Sequence, residues 1–171
     1  MNPFIAFIEK PSKESFLAVR ETVLTSPDYQ PYSPDLTGLH GLIGESDWKA
    51  IIDSSKEMLP NFLLSPGYHM ALAKAYKELD KEEGLQAELT LAKVCIDGIK
   101  LTGEGTREQP WVVLRTSDEY DVLGEMGKKS KKQSLVEVDG RKLDHQLCED
   151  ESEYYFDVTD PMSHMSKQFG N

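Results

Sequence analysis

Apolar residues recur at every third or fourth position from Trp48 to Ile99; beyond Thr102-Gly103-Glu104-Gly105-Thr106 they alternate instead. The first period belongs to an amphipathic helix and the second to a half-buried strand. One element type cannot serve both, so the chain must be α+β, with helices first and a sheet after them. The pattern predicts a helical region over residues 1–103 and a small α+β module over residues 104–171. With 171 residues, folding buries roughly 70% of the unfolded surface, enough for a core without staples.

The first half reads as follows. Ser12, or alternatively Ser15, caps a helix through Leu24, with Phe16, Leu17, Val19, Val23 and Leu24 largely on one face. Residues 25–34 hold three prolines and two tyrosines, which predicts an extended linker, with Tyr29 and Tyr32 lying over a neighbouring helix. Leu36 to Ile43 is weakly patterned. A helix from Asp47 to Leu59, capped by Ser46 and stopped by Pro60, carries Trp48, Ile51, Ile52, Ser55 and Leu59 inward. Another from Pro66 to Leu79 turns Tyr68, Leu72, Ala75, Tyr76 and Leu79 inward. A third from Glu82 to Leu101 does so with Leu85, Leu89, Ala92, Cys95, Ile96 and Ile99. Tyr68-x-x-x-Leu72-Ala73-x-Ala75-Tyr76 resembles the first helix of a tetratricopeptide hairpin, and Asp47-Trp48-Lys49-Ala50-Ile51-Ile52 the second helix of the hairpin before it. The resemblance implies stacked helix pairs; Leu59 to Pro66 and Asp80 to Leu85 depart from the regular turns.

The second half predicts strand, helix, three strands, helix. Pro110 to Arg115 is a β-branched run; Ser117 caps a short helix from Asp118 to Met126. Asp139-Gly140 joins Ser134–Val138 to Arg141–Leu147 as a hairpin, since both turn positions need positive φ. Tyr154–Val158 is a further strand, and Asp160-Pro161 opens a terminal helix carrying Met162, Met165 and Phe169.

Charge narrows the partners. Asp and Glu number 30 against 19 Lys and Arg, for a net charge of −11. That field repels phosphate and disfavours nucleic acid and anionic lipid. No apolar run approaches the roughly 20 residues that span a bilayer, and Met1 to Lys10 lacks the features of a secretory signal. A cytoplasmic protein with no membrane or nucleic-acid partner is the expectation. Cys95 and Cys148 sit in apolar helical and strand patterns and read as small hydrophobes without a disulfide.

Motifs that could carry chemistry read as structure. Gly103-x-Gly105-Thr106 follows a helix and precedes a strand, the reverse of a phosphate loop, so Gly103 reads as a left-handed helix stop. Lys128-Lys129-Ser130-Lys131-Lys132 reads as a solvated loop and Glu149-Asp150-Glu151-Ser152-Glu153 as a hairpin tip. His40, His69, His145 and His164 have no zinc-site spacing. Asp118 and Glu119 suit a helix N-terminus, where the dipole favours anions, and with Asp121 they are the paired carboxylates that acid–base work would use. The sequence predicts no catalytic residue, no metal and no cofactor.

Several short strings together resemble a family: Phe16-Leu17-x-x-Arg20, Tyr29-x-Pro31-Tyr32, Ala73-x-Ala75-Tyr76, Leu101-Thr102-Gly103-Glu104-Gly105-Thr106, Asp118-Glu119-Tyr120-Asp121-Val122-Leu123, Gln133-Ser134-Leu135 and Tyr155-Phe156-Asp157-Val158. The chain is similar to an uncharacterised bacterial family known only as a domain of unknown function, with tetratricopeptide-like helices followed by a small α+β module. The resemblance implies that the helices and the module form one integrated unit rather than two independent domains, and it implies no activity.

The function expected is a non-catalytic interaction or scaffold protein that binds a protein or peptide in a helical groove. Tyr29, Tyr32, Trp48, Tyr68, His69 and Tyr76 are its candidate contacts. Two other readings stand beside it. One is an acidic inhibitor or immunity-type protein covering a basic partner; the other is an enzyme with an unrecognised carboxylate or His site. The oligomeric state is left open.

Overall fold

The computed structural model describes residues 2–33 and 35–169 and, of residues 35–37 and 167–169, the backbone alone. Met1 and Pro34, and the side chains of Leu36 and Phe169, lie outside the described residues. The architecture is α+β, with helices leading into a four-stranded mixed sheet.

Two helices open the chain, α1 (Pro3–Glu9) and α2 (Lys13–Leu24). The side chain of Asn2 caps α1 through the Phe4 N–H, and Ser12 caps α2 through the Ser15 N–H. Residues 25–33, expected to be extended, fold into turns instead, because Tyr29 is drawn into the core. The weakly patterned stretch forms α3 (Asp35–Gly44).

The helix expected from Asp47 to Leu59 is two helices, α4 (Trp48–Asp53) and α5 (Ser55–Phe62). Ser46 does not cap it. It stands at φ +59°, and Asp47 caps α4 by accepting the Ala50 N–H. Pro60 does not stop α5 but lies inside it. The ring removes one amide donor, and with only Asn61 and Phe62 beyond it the helix carries that loss over its last turn. The expected helices α6 (Pro66–Glu78) and α7 (Glu82–Leu101) follow and pack against each other. Leu89 departs from its expected inward place and is 36% exposed.

Helix α7 ends at Thr102 without a left-handed Gly103; Gly105 is the left-handed residue, at φ +73°. Gly103 is needed for a different reason: a Cβ there would overlap the carbonyl oxygens of Gln109 and Pro110. The strand expected over 110–115 is only β1 (Trp111–Val112). Past it, buried side chains take the ladder's place. Arg20 donates to the Val113 carbonyl at 3.1 Å and Tyr29 to the Leu114 carbonyl at 2.6 Å. Ser117 does not cap α8 (Thr116–Glu125); Asp118 reaches back to the Leu114 and Arg115 N–H groups at 3.3 and 3.2 Å.

The hairpin forms as its turn demands. Strands β2 (Ser130–Val138) and β3 (Arg141–Cys148) pair antiparallel, with Asp139 at φ +53° and Gly140 at +77°. Then come β4 (Glu153–Asp157) and α9 (Thr159–Phe169). The sheet order is β1-β4-β3-β2, and β1 runs parallel to β4. The basic run is not a solvated loop. From Ser130 it is strand β2, and its lysines pair with the acidic tip between β3 and β4: Lys128 with Asp150, and Lys131 with Glu151 at 2.6 Å.

Two buried clusters hold the molecule. One joins Phe7, Phe16 and Val19 of α1 and α2 to Cys95 and Ile99 of α7, Trp111, Val122, Cys148 and Phe156. The other is local, gathering Leu39, Ile51, Phe62, Tyr68, Leu72 and Ala75 from α3 to α6.

Gly98 shows how closely the first cluster is packed. A Cβ there would overlap the Phe16 ring and come within 2.8 Å of Phe7 Cζ, and both rings are buried. Helix propensity alone would make Gly98→Ala stabilising by about 1 kcal/mol. Overpacking should win, and the variant should lose about 1–3 kcal/mol, read as a lower urea midpoint. A higher midpoint would show that the rings yield.

Candidate functional site: a helical groove and a buried carboxyl cluster

The six residues expected to meet a partner do not share a surface. Tyr29, Tyr68 and His69 are 1%, 0% and 1% exposed. Tyr29 is spent on the Leu114 carbonyl and stacks edge-on against His164. Tyr68 stacks on Phe62. The His69 ring spans Glu88 Oε2 at 2.7 Å and the Leu63 carbonyl at 3.0 Å, tying α6 to α7. Trp48 is half-buried under the Lys74 ammonium, 5.2 Å from its ring centre. Tyr76 lies against α7 where Gly84 lacks a side chain. Only Tyr32 stands well out, at 45% exposed. Aromatic residues at helical spacing were thus taken by the core.

What α6 and α7 leave outside is a groove of about 420 Å³. Met70 and Ala73 line it from α6, Leu85 and Leu89 from α7, with Lys74, Lys77 and Glu78 at its rim. Met70 is 49% exposed. The sequence signal was present but ambiguous. Leu85 and Leu89 sit one turn apart on a stripe wider than α6 alone covers, and Met70 lies off the stripe of Tyr68 and Leu72.

The acidic start of α8 is where sequence reasoning fell shortest. Asp118 and Glu119 are buried at the junction of α8 and the sheet. Burial pushes the Asp118 carboxyl up to about 7, against the charge of Arg115 and the two backbone N–H groups it accepts. Burial pushes Glu119 up to about 9; Asp144 beside it disfavours a second negative charge, while a hydrogen bond from Gln146 acts the other way. Gln146 Nε2 donates to Glu119 Oε2 at 2.7 Å, Gln133 Nε2 to Asp144 Oδ2 at 2.6 Å, and Ser130 and Tyr120 extend the chain of bonds to both glutamines. Among the described residues no donor reaches Glu119 Oε1. A proton held there turns an orphan acceptor into a donor beside Asp144. Asp121, on the same helix, accepts the Gly67 N–H at 2.8 Å and is pushed up by burial to about 6.

Cys95 and Cys148 are free thiols in the core, and burial pushes the Cys95 thiol up. Among the described residues no group of three or more His, Cys, Asp or Glu side chains could hold a metal ion. No described helix is long and apolar enough to cross a membrane.

Residues 26–167 match the family described as a domain of unknown function (DUF4919), and the chain belongs to it. No curated protein and no solved structure matches the chain.

The three raised carboxyls set the pH dependence of stability. Their folded pKa values lie above the unfolded ones, so the folded chain holds protons that the unfolded chain has released. Their stabilising contribution is whole below the unfolded carboxyl range and drains away as pH rises, until about 9 for Glu119. Urea unfolding from about pH 5 to 8 should therefore show stability falling with pH, and Glu119→Gln should flatten that slope by about 1.4 kcal/mol per pH unit, one proton's worth. An unchanged slope would mean Glu119 is ionised in the fold.

Proposed function

We propose that this member of the family is a non-catalytic interaction protein that takes the apolar face of a protein segment into the groove between α6 and α7. The observation that carries the reading is the pair of anchors left outside: Met70 at 49% and Leu89 at 36% exposed, on facing helices. Met70 and Ala73 lie one turn apart, as do Leu85 and Leu89, which suits a partner helix presenting residues at three- and four-residue spacing. Fully burying such a side chain contributes about 1.5–3 kcal/mol; these two are already half covered, so each adds about 1 kcal/mol. That magnitude fits a weak, reversible complex, in which methionine adapts to more than one partner shape. The helical part acts as a tetratricopeptide-like scaffold, with α4 packed on α6 and α6 on α7. Free buried thiols suit a reducing, cytoplasmic setting.

The raised carboxyls favour a second reading, an enzyme, since perturbed titratable groups cluster at active sites. The weight against it is geometric. Asp118 and Glu119 are 1% and 0% exposed. A substrate would reach them only after α8 left the sheet.

A photo-crosslinking residue in place of Met70 tests the groove in cells. We expect one discrete adduct, lost when Leu89→Asp is added and kept when Leu135→Asp is added on β2, with circular dichroism unchanged in both. Absence of an adduct, or an adduct indifferent to Leu89→Asp, would overturn the reading.

A further inference from the structure

We propose that the free edge of β2 is a self-association surface, on which a second copy of this chain pairs strand to strand, antiparallel, about a two-fold axis beside Leu135. The sheet guards its two edges unequally. At one edge β1 is two residues long, and Arg20 and Tyr29 take the carbonyls that follow it. At the other, β2 runs nine residues from Ser130 to Val138, and among the described residues β3 is the only strand paired with it. A long open edge is a template for another strand.

Three features of that edge fit a second copy of the same strand. The first is the direction of its backbone groups. Lys142 turns its own away from β2: its carbonyl accepts the Val158 N–H at 2.9 Å, and its N–H donates to Thr159 Oγ1 at 3.0 Å. Glu137 stands opposite Lys142, so the Glu137 N–H and C=O face away from β3. By the alternation of an antiparallel ladder those of Leu135 and Gln133 do the same. The second is apolar surface on the edge itself. Leu135 is 50% exposed, and Tyr120, 48% exposed, donates its hydroxyl to Gln133 at 2.6 Å and so lies beside it. The third is charge. Lys131 and Lys132 stand at the start of β2, Glu137 near its end and Asp139 in the turn after it. Laid antiparallel, the lysine end of one strand runs beside the carboxylate end of the other; a parallel copy would lay lysines against lysines. The pair that Lys131 makes with Glu151 is exposed on both sides and holds the lysine only weakly.

In this register residues 132–138 of the two copies oppose each other, beyond the irregularity between Ser130 and Lys132. Leu135 meets Leu135 of the second copy, Gln133 stands opposite Glu137 of the second copy, and about six main-chain hydrogen bonds form. Two four-stranded sheets become one continuous sheet. Assembly stops at two copies, because each remaining edge is the closed one at β1. A contact of this size belongs at the weak end of specific interfaces. It lies on β2, apart from the groove between α6 and α7, and either can fail without the other.

The test is sedimentation velocity of the full chain from about 5 to 500 μM, together with cysteine trapping. We expect a monomer that gives way to a dimer with a midpoint of roughly 10–100 μM. Under mild oxidation L135C should cross-link into a covalent dimer, because directly opposed Cα atoms lie about 5.5 Å apart, within disulfide reach. Cys95 and Cys148 are buried and do not compete. E137C should stay uncrosslinked, since the two copies of that position are offset by about 14 Å along the strands. L135P removes an N–H that faces away from β3, so the ladder of the monomer stays whole, and the midpoint should rise at least about tenfold. If L135P loses its circular dichroism, L135C against E137C decides. A monomer at every concentration, L135C cross-linking no faster than E137C, or a dimer indifferent to a folded L135P would overturn the proposal.

Discussion

The fold turns on one buried guanidinium. Arg115 is 1% exposed, at the junction of the helices and the sheet. It donates to the Asn61 carbonyl and side chain, lies over the Phe62 ring 4.4 Å from its centre, and has Asp118 as its counter-charge. Asn61 in turn exchanges hydrogen bonds with the Gln30 backbone at 3.1 and 3.2 Å. Residue 115 therefore fixes the end of α5, the turn before α3 and the start of α8 together. Losing one of these acceptors leaves part of a buried charged group unpaired, at a cost of about 1–3 kcal/mol. The same neighbourhood explains why β1 is short: its next two carbonyls belong to Arg20 and Tyr29.

The elements readable from the sequence were those whose cause is local. Ser12 caps the helix that follows it, and Asp139-Gly140 could hardly be anything but a tight turn. Helices α6 and α7 were legible because their stripes span three turns or more. What failed was decided at a distance. Pro60 and Ser46 misled because the break falls at Ser54, where no residue type announces it. Glycine punctuation hid α3. Tyr29 reads as a linker residue until the Leu114 carbonyl, far along the chain, claims its hydroxyl. In the candidate site, the acidic start of α8 was visible, but β3 alone brings Asp144 and Gln146 to it. No spacing in one stretch of sequence encodes that meeting.

Family membership and core membership are not the same boundary. The match begins at residue 26, after α2. Yet Phe7, Phe16 and Val19 fill the same buried cluster as Trp111 and Phe156 of the sheet. Arg20 of α2 bonds both the Val113 carbonyl and Asp160 at the start of α9. The opening helices therefore share one buried core with the sheet and α7.

The sequestered carboxyls also change what the molecule presents electrically. Summing side chains gives −11, but that sum treats every Asp and Glu as ionised. With Glu119 titrating near 9 and Asp118 near 7, the folded protein at neutrality is less anionic than its own denatured chain. Electrophoretic mobility and focusing position thus report folding as well as composition, and long-range attraction to a cationic surface is weaker than the formula suggests.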